Sequence, residues 1–211
     1  MAYVLDQSQT TDTVEAYTYG WPQYPYLAQS FTPTVTADIG KVSLALAKVG
    51  TPIDNPRISI CADNAGEPGS ELCVSTTTVD PGDLPGQYDT PVYTDFEFAE
   101  GTELTANTVY WIKYSRTGDF SDTNYYFSRI SSEYTGYTRG ELLYYDTEVG
   151  WSSEFPDSAF EEYYILISYC VVRSLYNTHT LYDDHSLYNC GAEPTPPSVV
   201  GWKTLLGVGQ G

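Results

Sequence analysis

The stretch from Gln29 to Cys73 constrains the fold of this chain more than any other. Val42, Leu44 and Leu46 alternate with Ser43, Ala45 and Ala47, and Ile58 and Ile60 alternate with Ser59 and Cys61. Alternation with period two gives each segment one apolar face, the pattern of a half-buried β-strand. Turn-forming residues separate the segments: Gly50, Pro52, Asn55-Pro56, Asp63-Asn64, Gly66 and Pro68-Gly69. Two sheets packed face to face, with loops gathered at their ends, follow from this pattern.

The rest of the chain repeats it. Strand character is expected over 41–49, 57–62, 73–79, 91–98, 108–115, 125–130, 142–145, 149–152 and 160–172. The run TVYWIKYS at 108–115 is the most strand-like and predicts an inner strand. The segments DPGDLPGQYDT (80–90), EGTELTAN (100–107) and RTGDFSDTN (116–124) read as loops, and Asp146 to Glu148 as a hairpin tip. Short strands separated by turn signals, with no helical period, predict an all-β, jelly-roll-like antiparallel β-sandwich over residues 1–172. The 21 Tyr residues, against 7 Phe and 1 Met, fit strand faces where the ring packs and the hydroxyl stays wet.

The formal net charge is −19, with nine Lys plus Arg. Nucleic acid is disfavoured as a partner, because few cations are present to neutralise phosphates. The charge reads as a solubility device, or as adaptation to a salt-rich or calcium-containing milieu. No apolar run is long enough for a transmembrane helix, so no membrane insertion is expected. The opening MAYVLDQSQTTD has neither a basic nor an apolar signal region. The expectation is a mature chain, or one that leaves the cell by another route such as assembly into a particle.

Cys61, Cys73, Cys170 and Cys190 allow three pairings. A Cys61–Cys73 bridge across the 62–72 loop would leave Cys170 and Cys190 to tie the tail to the domain; four buried free thiols are the alternative. Zinc is not expected, since no CxxC spacing occurs.

Between Tyr17 and Tyr26 the chain carries Tyr19, Trp21 and Tyr24, interrupted by Pro22 and Pro25, which reads as a loop or edge strand. With Trp151, these rings are candidates for stacking on a carbohydrate; alternatively they form an interface patch or cover the end of the sandwich. Asp63, Asn64 and Glu67 offer hard oxygen ligands for calcium in a tight loop, or simply serve the turn itself. No other cofactor is implied. A hydrolytic triad is not expected, because the only histidines, His179 and His185, lie in the tail and no nucleophile motif accompanies them. Glu97, Glu100, Glu161 and Glu162 are candidate paired carboxylates, but in so acidic a chain they read first as a solvated face. The chain is therefore read as non-enzymatic.

In order, the segments LDQSQ, LAQSFTP, GKVSLALAKVGTP, ISICADNAGEPGSEL, LTANTVYWIKYS, NYY, GELLYYDTEVGW and SAFEEYYI resemble a β-sandwich module. That module is found in phage virion, fibre or tail proteins and in bacterial surface or carbohydrate-active proteins. The resemblance spans about residues 5–169 and is most specific at AQSFTP (28–33), Leu46 to Pro52, and DNAGEPG (63–69). Cys61 and Cys73 depart from its pattern. It implies a sandwich and, more loosely, a virion or extracellular surface location.

Residues 173–191 contain a hexapeptide repeat, SLYNTH, TLYDDH and SLYNCG. Leu175, Leu181 and Leu187 are in register, as are Tyr176, Tyr182 and Tyr188. Six is even, so an extended chain puts every Leu on one face and every Tyr on the other. Such faces need neighbours, which predicts packing against other copies of the chain or against the sandwich; a duplicated loop without function is the alternative. His179 and His185 share one repeat position, suited to a metal on an oligomer axis or to polar filler. Residues 192–211 follow as a Pro-rich spacer and an apolar docking peptide with Trp202, Leu205 and Leu206. The resulting expectation is a structural protein of a virus particle (capsid decoration, fibre or tail-associated) or a surface appendage. It would self-associate or dock on another virion or surface protein through this tail. A carbohydrate-binding, host-attachment module is the alternative.

Overall fold

The computed structural model describes residues 2–10, 15–89, 92–130, 137–155 and 158–166. Thirteen strands are formed in chain order. They are β1 (Ala2–Gln9), β2 (Glu15–Tyr19), β3 (Tyr26–Phe31), β4 (Ala37–Val49), β5 (Pro56–Asp63), β6 (Pro68–Val74) and β7 (Val92–Glu97). β8 (Glu103–Leu104), β9 (Tyr110–Arg116), β10 (Tyr125–Ile130), β11 (Leu142–Asp146), β12 (Gly150–Phe155) and β13 (Phe160–Leu166) follow. All their pairings are antiparallel, in two sheets. A six-stranded sheet has the order β12-β11-β3-β9-β5-β6, and a seven-stranded sheet is built round β4. The all-β sandwich is therefore present.

Strand parity explains the core. Leu27, Phe31, Ile58, Ile60, Ile112 and Tyr114 of the six-stranded sheet meet Val42, Leu44, Leu46, Phe96, Tyr126 and Phe160 of the other, all buried in one cluster. Each such aliphatic or aromatic side chain contributes roughly 1.5–3 kcal/mol by leaving water. The outer face of the six-stranded sheet carries a second, smaller buried cluster of Ala28, Cys61, Trp111 and Leu143.

β4 is long enough to take two partners on one edge. β13 pairs along Ile39 to Leu44, and β10 pairs along Leu46 to Val49. Where β10 gives way to β13, the Ser128 and Ser158 hydroxyls lie 2.7 Å apart, and Ser158 is 2.8 Å from the Tyr114 hydroxyl. The Ser158 amide donates to Gln29 Oε1 at 2.7 Å. All four side chains are fully buried.

One sequence expectation shifts. The strand placed at 73–79 is β6, Pro68–Val74. Ala65 and Gly66 have φ of 56° and 88°, the left-handed pair of a tight hairpin turn, so the return strand starts early. Ser75 makes a last bond to the Ile58 carbonyl of β5, and Thr76 bonds Glu97 instead. Of the loop or edge strand expected about Tyr19 to Tyr24, Tyr19 takes the edge-strand part: it lies in β2, at the edge of its sheet and paired to Tyr126, and the loop follows it. Of the long strand expected at 160–172, the described part is β13. The 173–191 and 192–211 segments lie outside the described residues, with Leu175, Tyr176, Leu181, Tyr182, Leu187, Tyr188, Trp202, Leu205, Leu206, Cys170 and Cys190.

β13 also buries an acid. Glu162 pairs with Val42 and Gln7, faces the interior and is 2% exposed. Its Oε2 has no hydrogen-bond partner among the described residues. Desolvation, with the nearby Asp6 charge, pushes its carboxyl up from 4.5 to about 8. Between those values the folded chain holds a proton that the unfolded chain has released. Stability therefore falls as pH rises through that window, by about 1.4 kcal/mol per unit. Chemical denaturation of the parent and of Glu162→Gln should give curves that diverge by about 3–4 kcal/mol between pH 5 and pH 8, with the variant the flatter. Parallel curves would refute the assignment.

Candidate functional site

One end of the sandwich is lined with aromatic rings. The loop from β2 to β3 is closed by the Gly20 amide donating to the Pro25 carbonyl at 3.2 Å. It holds Trp21 and Tyr24 half-exposed, their rings 5.4 Å apart. Trp21 also meets Tyr125 at 6.4 Å, and Tyr24 meets Tyr144 of β11 edge-on at 5.6 Å. The tip of the β11–β12 hairpin leans on the same loop: the Thr147 amide donates to the Gln23 carbonyl at 3.1 Å, and Gln23 Nε2 to Asp146 at 3.3 Å.

Successive residues of β11 face opposite ways, so Tyr144 serves this loop while Tyr145 faces the outside of the six-stranded sheet. There Tyr145 pairs with Tyr26 and with Trp151. Its ring lies 5.8 Å from Tyr26 and 5.3 Å from Trp151, and Phe120 stands 5.8 Å from Tyr26. These rings wrap the end of the sheet from the β2–β3 loop to its outer face. Edge-to-face contacts of this kind add about 0.5–1.5 kcal/mol each beyond burial.

A buried ion pair fixes the loops behind them. Arg116 Nε donates to Asp54 at 2.7 Å, and Nη2 to the other carboxylate oxygen. The two side chains are 4% and 10% exposed. Arg116 Nη1 also donates to the carbonyls of Gly20 at 3.1 Å and Asn124 at 2.7 Å, while Asp54 accepts from the Gly118 amide at 2.8 Å. The 20–25, 50–55 and 117–124 loops thus share one anchor. Gly20 has to be glycine, since its φ is 78° and an added Cβ would stand 2.9 Å from Arg116 Cδ. The Tyr126 hydroxyl donates to the Asp54 carbonyl, and burial raises its phenol.

Of the four sugar-stacking candidates, the structure brings Trp21, Tyr24 and Trp151 to this end. Tyr19 is a correction: it is fully buried between Tyr114 and Tyr126, at 5.6 and 5.8 Å. Its place in β2 points it into the core. Sequence reasoning missed Tyr26, Phe120, Tyr125, Tyr144 and Tyr145. Tyr145 and Trp151 flank a hairpin tip at spacing that pairs them across strands, a usable signal.

The disulfide expectation for Cys61 and Cys73 is also corrected. Cys73 pairs with Ile60 and faces the core, whereas Cys61 pairs with Glu71 and faces outward. Side chains on opposite faces of a sheet cannot bridge; both are free thiols, pushed up by burial.

Asp63 is occupied by its own turn. It accepts from the Gly66 amide at 3.2 Å and from the Trp111 indole at 2.9 Å. The Asn64 amide donates to the Glu67 carbonyl at 2.8 Å. Calcium draws no support from this geometry, and among the described residues no three His, Cys, Asp or Glu side chains gather to hold a metal.

Glu161 and Glu162 are adjacent in β13 and face opposite ways. Glu161 accepts from the Tyr163 hydroxyl at 2.6 Å while Glu162 is buried, so the two do not form a carboxylate pair. The arrangement is a set of amphipathic rings held on anchored loops. No protein-family model matches the chain, and no curated protein matches it.

Removing one partner of the clamp strands the other charge. Arg116→Met should cost about 3–5 kcal/mol in denaturant unfolding and increase amide exchange in the 20–25 and 117–124 loops. A loss below about 1 kcal/mol would mark the pair as a surface-type bridge.

Proposed function

We propose that this chain is a non-enzymatic structural protein of a virus particle or surface appendage. Its sandwich, of jelly-roll type, faces outward, and its C-terminal tail self-associates or docks on another protein of the assembly. Support for the jelly roll comes from the chain's repeated passage between sheets: β3 in one, β4 in the other, then β5, β7, β9, β10 and β11 in alternation. Support for the assembly role is the in-register hexapeptide repeat over 174–191 and the apolar terminus that follows it. Size-exclusion chromatography with light scattering tests this directly. A chain ending at residue 173 should be a folded monomer and the full chain an oligomer; equal masses would refute tail-driven assembly.

A second reading, attachment to a glycan, is favoured by the aromatic end. Trp21, Tyr24, Tyr26, Tyr145 and Trp151 are half-exposed on anchored loops and strands, where rigid rings stack on sugar faces at low entropic cost. A glycan array probed with the full chain should show hits that weaken about tenfold or more in Trp21→Ala, with the thermal midpoint unchanged. An array without hits, or equal binding by the variant, would remove this reading and leave the assembly role standing.

A further inference from the structure

Cations are scarce here, nine against 28 acids, and most of those described are spent on structure. Lys41 pairs with Asp95 at 2.7 Å. Lys48 donates to the carbonyls of Pro81 and Gly82. Arg57 holds Glu71 through two bonds of 2.9 and 2.8 Å. Arg116 clamps Asp54, and Arg129 donates to the carbonyls of Gln87 at 2.9 Å and Asp89 at 3.1 Å. Lys113 differs. Like the Arg139 guanidinium, it has neither a carboxylate nor a carbonyl partner among the described residues, and its ammonium lies 4.3 Å over the Tyr26 ring.

The register places that ammonium beside the aromatic rings. Lys113 pairs with Ala28 on one side and Ser59 on the other, and Ala28 pairs with Leu143. Tyr26 and Tyr145, two residues along from Ala28 and Leu143, share this outer face with Trp151. Lys113, Tyr26 and the rings of Tyr145 and Trp151 are all half-exposed. Two acids face the same way: Glu71 is paired with Arg57 and also feels the Lys113 charge, and Asp63 accepts from the Gly66 amide and the Trp111 indole. At contact range the nearest charge governs, because the rest of the chain's charge is screened over about 8 Å at physiological ionic strength.

We propose that the outer face of the six-stranded sheet binds a carboxylate-bearing sugar, stacked on Tyr145 and Trp151 with its carboxylate on Lys113. The inference rests on the glycan-attachment reading and specifies its ligand. A neutral sugar needs the rings and hydroxyl partners only. An ammonium beside the rings that is hydrogen-bonded to no acid among the described residues complements an anion.

Titration calorimetry on the full chain separates the two claims. The probes are sialyllactose against lactose, and a galacturonate oligomer against its carboxyl-reduced form. The acidic member of a pair should bind about tenfold or more tightly. Lys113→Gln should bring it to the level of the neutral member, and Trp151→Ala should weaken both. Equal affinity within both pairs, or a preference that survives Lys113→Gln, overturns the acidic-sugar assignment while the glycan reading stands. Failure of all four probes to bind overturns both.

Discussion

Four buried polar side chains hold the two sheets to each other. Gln29 and Tyr114 come from the six-stranded sheet, Ser128 from β10 of the other, and Ser158 from the residues just before β13, bridged to Ile130 of β10. They meet where β10 leaves the edge of β4 and β13 takes its place, a point where the backbone ladder changes partner. An apolar filling there would leave the buried Ser158 amide without its Gln29 acceptor, at about 1–3 kcal/mol. The fully bonded set instead admits one geometry. Burial pushes the Tyr114 phenol up to about 12, so it remains a neutral hydroxyl able to donate or accept. Apolar contacts supply most of the stabilisation of the sandwich, but they are non-directional. The register of one sheet over the other is fixed by these bonds.

Once that register is set, parity decides what each face shows. On β9, Tyr110, Ile112 and Tyr114 enter the core, so Trp111, Lys113 and Ser115 must face out. On β11 the same rule sends Leu142 and Tyr144 one way and Leu143 and Tyr145 the other. The aromatic end is therefore a consequence of core packing, extended by loops that the Arg116–Asp54 pair anchors. Side chains on strands are held more precisely than those on free loops, and here the two kinds of support adjoin.

The strands were legible because period two is a local signal. The expected segments at 41–49, 57–62, 108–115 and 125–130 fall on β4, β5, β9 and β10, and the hairpin about Asp146 on β11 and β12. What the sequence does not carry locally is which face is inside. Tyr19 and Trp21 look equally suited to a surface, yet β2 ends between them, burying the first and leaving the second in the loop. Cys61 and Cys73 look suited to a bridge, but the two-residue turn at Ala65-Gly66 sets a register that separates them across the sheet. The Asp54 clamp and the Ser158 junction join residues 62 and 129 positions apart. No window of sequence contains either.

The acidic composition imposes a last constraint. Acids that enter the interior are handled in two ways: Asp54 is paired and hydrogen-bonded, while Glu162 is kept neutral by its surroundings. Cations are too few to decorate the surface, and Lys48, Arg116 and Arg129 donate to backbone carbonyls, where each ties a loop to the sheets. Sandwich domains of like charge repel, which favours solubility and opposes close packing of heads. The proposed association between copies would then have to draw on apolar contact at a separate place in the chain. The leucine and tyrosine register of the hexapeptide repeat has that character, and it carries few charges of its own. Under the proposed assembly role, an acidic head and an apolar repeat would be complementary: the first would keep the domains apart, and the second would supply the contact that the first forbids.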